Sequence, residues 1–74
     1  MNLHQFYFDV WTCARENRWR IGQALFNKLW ELRPDLSEQI RGTDKDPFHA
    51  VSPTDPRYDA AIKFIEANWF TLPN

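Results

Sequence analysis

Seventy-four residues, 43% hydrophobic and 26% charged, suffice for one small globular domain with a thin core. Ten acidic against nine basic side chains leave a net charge of −1, which excludes a polyanionic nucleic-acid mimic and a chain that grips phosphates by bulk charge. A single cysteine excludes an internal disulfide, no apolar run reaches the roughly 18 residues of a membrane span, and the first residues lack a signal-peptide pattern.

The spacing predicts a first helix from about Asn2 to Asn17, with Asn2 as its N-cap. Leu3, Phe6, Tyr7, Val10, Cys13 and Ala14 recur at helical intervals and form its core stripe. Phe8 and Trp11 fall outside that stripe and need either a second partner or solvent. Arg15 to Arg20 is a polar connection interrupted by Trp19. A second helix is expected from Trp19 to Leu32, burying Ile21, Leu25, Leu29 and Leu32, with Phe26 and Trp30 at the stripe's edge. Gly22 on its border suggests the close approach of another helix. Pro34 ends this helix, because the residue before a proline is driven out of the helical region.

Asp35 with Glu38 three positions on forms a capping-box pattern and predicts a short helix over Leu36 to Arg41, stopped by Gly42. Residues 43–54 carry proline turn signals and no periodicity, so they form a loop in which Asp46-Pro47 turns Phe48 inward. Asp55-Pro56 opens a final helix to about Phe70, with Tyr58, Ala61, Ile62, Ile65 and Trp69 on one face and Pro73 closing it. Strand alternation is absent. The expected fold is one all-α domain over residues 1–74: three main helices, a short fourth and a long loop.

The residues offer little for catalysis or metal binding. Cys13 sits on an apolar stripe, where a thiol packs as a small hydrophobe, and His4 lies off that face. His4, His49 and one thiol lack zinc-site spacing. Asp44, Asp46 and His49 cluster in the loop, but Asp46 capping the Pro47-Phe48 turn accounts for them. No catalytic residue, metal ligand or cofactor is therefore expected.

Two binding chemistries remain. Arg15, Arg18, Trp19 and Arg20 gather at the first inter-helix turn, a combination that stacks bases and meets phosphates. Against that, residues 1–41 hold six basic and five acidic side chains, too even a balance for a sequence-independent grip on DNA. The other chemistry is protein docking. Phe8, Trp11, Trp30, Phe64 and Phe70 exceed what three short helices can hide from one another, unless the loop folds back over them.

Gly22-Gln23-Ala24-Leu25-Phe26-Asn27, Arg33-Pro34-Asp35-Leu36, Ile40-Arg41-Gly42-Thr43 and Asp46-Pro47-Phe48 resemble the GQxxFN, RPDL, IRGT and DPF motifs of short uncharacterised bacteriophage-encoded proteins. The likeness spans residues 18–70 and departs from that group in a longer insertion between Phe48 and Tyr58. It implies a phage accessory protein acting in the host bacterial cytoplasm, and it assigns no chemistry. Within the motifs, Arg33, Asp35 and Arg41 are expected to form an ion-pair net. The leading expectation is a non-enzymatic protein-interaction module. It would bind a host or phage protein, modulate it and self-associate as a homo-oligomer, without a membrane. Nucleic-acid binding through the Arg15/Arg18/Trp19/Arg20 cluster is the alternative.

Overall fold

In the computed structural model, which describes residues 2–71, the chain is all-helical: α1 Leu3–Asn17, α2 Ile21–Leu32, α3 Pro34–Ile40 and α4 Pro56–Asn68. The three longer helices and the short α3 match the expected architecture, and no strand occurs among the described residues. A radius of gyration of 11.1 Å is that of a tightly packed chain of this length.

Capping explains most boundaries. The Asn2 side chain accepts from the Gln5 amide at 2.8 Å and starts α1. The helix ends at Arg18, which takes up a left-handed conformation (φ 56°) without being glycine. Its successor Trp19 donates backbone N–H to the Ala14 carbonyl. That turn delays α2 to Ile21, two residues later than the sequence suggests. Asp55 accepts from the Arg57 amide at 2.8 Å and opens α4 with Pro56 in its first turn.

The α2–α3 junction departs from expectation. Helix α3 starts at Pro34, with Arg33 as its N-cap, so the Asp35–Glu38 capping box does not form. Asp35 is captured by Arg33 instead: Nε and Nη2 donate to its two carboxylate oxygens at 3.0 and 2.8 Å. The same guanidinium donates from Nη1 to the Trp69 carbonyl at 2.6 Å and from Nη2 to the Thr71 carbonyl at 3.0 Å. One arginine thus ties the α2–α3 elbow to the end of α4, where helix carbonyls lack intrahelical partners. Arg41 takes no part in this net and pairs with Glu38 at the surface (3.3 Å). Helix α4 ends at Asn68, before Phe70, and Pro73 lies outside the described residues.

The Arg33 hydrogen bonds hold the Asp35 carboxyl below the usual aspartate range. A depressed folded-state pKa contributes stability that is complete above the unfolded value and is lost as pH falls through the folded one. Thermal stability should therefore decline on acidification below about pH 4, and Asp35→Asn should flatten that decline. Melting curves over an acid series check this.

Phe6, Val10, Leu25, Leu29, Leu36, Ile40 and Ile65 are sealed in the core. Phe6 meets the Trp69 ring at a centroid distance of 4.9 Å, joining α1 to α4. The Tyr7 hydroxyl donates to Glu66 at 3.2 Å across the same seam. Partial burial, then the Glu66 charge, push the Tyr7 phenol up. Cys13 is half-buried, and the Asn17 amide donates to its sulfur (3.3 Å) and to its carbonyl (2.9 Å).

The long loop folds back onto α2. It is backbone that meets Gly22, where a neighbouring helix was expected. Gly22 N–H donates to the Ala50 carbonyl at 3.0 Å and supplies the cap that no side chain gives α2. Asp46 accepts from the Gly42 and Phe48 amides at 2.7 and 3.0 Å, holding the turn that brings Pro47 and Ala50 into the core. Asp46 is the turn's cap, as the sequence suggests.

Candidate functional site

Helix α1 carries more apolar surface than its neighbours cover. Its inward residues and the adjoining Phe8 and Trp11 together span roughly 220° of the helix circumference at about 100° per residue, about twice the usual buried stripe. The core takes Phe6 and Val10, with Leu3, Tyr7 and Ala14 packed at its margin. Phe8 and Trp11 remain 68% and 55% exposed. His4, Phe8, Trp11 and Arg15, at positions i, i+4, i+7 and i+11, make one outward stripe and are all exposed. Trp11 and Arg15 also border a shallow niche of about 250 Å³ with the half-buried Trp19.

A second exposed ring stands on α2. The loop shelters Phe26, whose ring meets Phe48 edge-on at 6.1 Å, but it stops one turn short of Trp30. Trp30 is 56% exposed and overhangs a groove of about 270 Å³. Phe26 and Phe48 give this groove an apolar floor, and Glu38, Arg41 and Asp46 form part of its polar rim. Phe70, just past α4, is 85% exposed. Phe64 differs from the other four candidates: it is half-buried and packs against the core, because α4 turns it toward its neighbours. The loop covers Phe26 and leaves the other four rings exposed.

The arginine–tryptophan cluster divides. Arg20 is committed to the fold, donating from Nε to the Phe48 carbonyl at 3.3 Å with its guanidinium 5.3 Å from the Phe48 ring centre. Trp19 packs against the core. Only Arg15 and Arg18 stay exposed. No group of three or more His, Cys, Asp or Glu side chains is placed to hold a metal ion among the described residues. No helix among them is long and apolar enough to cross a membrane.

Sequence reasoning foresaw the Arg33–Asp35 pair but missed the groove beside Trp30 and the bonds from Arg33 to the Trp69 and Thr71 carbonyls. The groove depends on a loop that crosses α2 from 20 residues away, and only Asp46-Pro47-Phe48 hinted that an aromatic would land there. Compared with protein families, curated proteins and solved structures, the chain matches none of them.

Proposed function

We propose that this chain is a small non-enzymatic protein-interaction module that works by occupying a partner's surface. One observation carries the reading: Phe8, Trp11, Trp30 and Phe70 stay in water, a surplus of large rings that the helices and the loop do not bury. Tryptophan concentrates at binding hot spots, where a desolvated ring contributes most. The likeness to short phage proteins supports a host or phage protein as partner, and a second copy of the chain is a further partner at high concentration.

Affinity capture from a bacterial lysate tests the reading, with wild type, Trp11→Ala and Trp30→Ala as baits. Each substitution should cost at least about 1 kcal/mol of binding, a fivefold loss or more, while the melting temperature barely changes. Equal capture by all three baits would remove the proposed surface. Light scattering at high micromolar concentration should give a mass above the monomer, and a strict monomer would remove self-association.

A further inference from the structure

We infer that the outer face of α1 docks an acidic amphipathic helix of a partner protein, apolar side over Phe8 and Trp11, carboxylates against Arg15 and Arg18. The inference rests on the interaction-module reading and names the partner's chemistry.

Charge pairing carries the argument. Lys28, Arg33, Arg41, Arg57 and Lys63 each hold a carboxylate of the same chain within 4 Å. Arg20 is spent on Phe48. Among the described residues, Arg15, Arg18 and the loop's Lys45 have no such carboxylate; Arg15 borders the niche beside the exposed Trp11, and the exposed Arg18 caps the same end of α1. The stripe from His4 to Arg15 contains no acidic residue and is about 16 Å long at 1.5 Å per residue. That length suits about three turns of a docked helix anchored at i, i+3 and i+4 positions. The niche between Trp11 and Trp19 has room for one large apolar side chain of such a helix.

A second copy does not supply this chemistry. Antiparallel two-fold pairing of α1, centred between Phe8 and Trp11, sets Arg15 near the other copy's His4 and the positively polarised start of its helix. Parallel pairing sets Arg15 against Arg15. Single-stranded nucleic acid is served poorly too, because with Arg20 committed the cluster offers two cations for phosphates, and affinity scales with their number.

The test screens a displayed library of random peptides about 15 residues long against the intact chain. Baits are wild type, Trp11→Ala, the double variant Arg15→Glu/Arg18→Glu and Lys45→Glu, with an oligothymidylate as a parallel probe. These positions are exposed, and circular dichroism verifies that each bait is folded. Peptides selected on wild type should combine Asp and Glu with large apolar residues at three- and four-residue spacing. Their binding should fall at least about tenfold on Arg15→Glu/Arg18→Glu, fall on Trp11→Ala and stay level on Lys45→Glu. Selected peptides without acidic bias, or indifferent to the arginine swap, would overturn this inference and leave the module reading standing. Failure to select any peptide, or preferential binding of the oligothymidylate, would overturn the inference. If lysate capture also failed, the module reading would fall with it.

Discussion

Gly22→Ala is expected to destabilise the chain by about 3 kcal/mol, a large share of what a domain this small possesses. The added methyl would overlap the Pro47 carbonyl oxygen and stand 2.8 Å from the Ala50 Cβ and 2.9 Å from the Ala50 carbonyl oxygen. Two of these neighbours are backbone, so no flexible side chain can swing aside. The loop must lift, which breaks the Gly22–Ala50 hydrogen bond that caps α2 and uncovers Phe26 and Phe48. Gly42→Ala provides a contrast. Gly42 has φ +73° with open space around it, so that change costs only left-handed backbone strain, about 1 kcal/mol. Urea unfolding of both variants separates the two mechanisms: the midpoint should fall much further for Gly22→Ala.

The second large effect belongs to Arg33. Truncation to alanine should cost about 2–4 kcal/mol, or roughly 10–20 °C in melting temperature for a domain of this size. The Arg33 and Asp35 side chains are only 13% and 19% exposed, so Asp35 would be left charged in a poorly solvated place. The carbonyls of Trp69 and Thr71 would lose their donor together, loosening the end of α4 that packs against Phe6. Arg33→Lys should recover only part of the loss, because an ammonium cannot reproduce a planar fork serving three acceptors. A double-mutant cycle with Asp35→Asn isolates the ion pair from the carbonyl bonds.

The helices were legible because their signals are local. Asn2 and Asp55-Pro56 cap the chain segments they precede, and the 3.6-residue recurrence from Phe6 to Val10 and from Ile21 to Leu29 needs no knowledge of neighbours. Errors arose where a contact made in the folded chain outcompeted the capping pattern. Asp35 has the sequence context of an N-cap, yet the Arg33 guanidinium makes two charge-assisted bonds to it, and Pro34, tolerated in a first helical turn, moves the start of α3 back. Gly22 announced a close approach but not what approaches, since only the folded loop reveals that it is backbone.

The candidate surface was legible in part for the same reason. Phe8 and Trp11 could be placed outside the core stripe from spacing alone, because a helix fixes the direction of every side chain. Phe64 could not be placed, since the burial of a ring at the edge of a stripe depends on the crossing of neighbouring helices. Arg20 looked equivalent to Arg15 and Arg18 until the loop brought the Phe48 ring and carbonyl to it.

The exposed rings are held to serve binding and not folding, and the triple variant Phe8→Gln/Trp11→Gln/Trp30→Gln tests that most directly when its melting temperature and its partner capture are measured side by side. The account predicts a midpoint within about 5 °C of wild type together with loss of capture. A much larger fall in the midpoint with capture retained would contradict it, because the rings would then belong to the core.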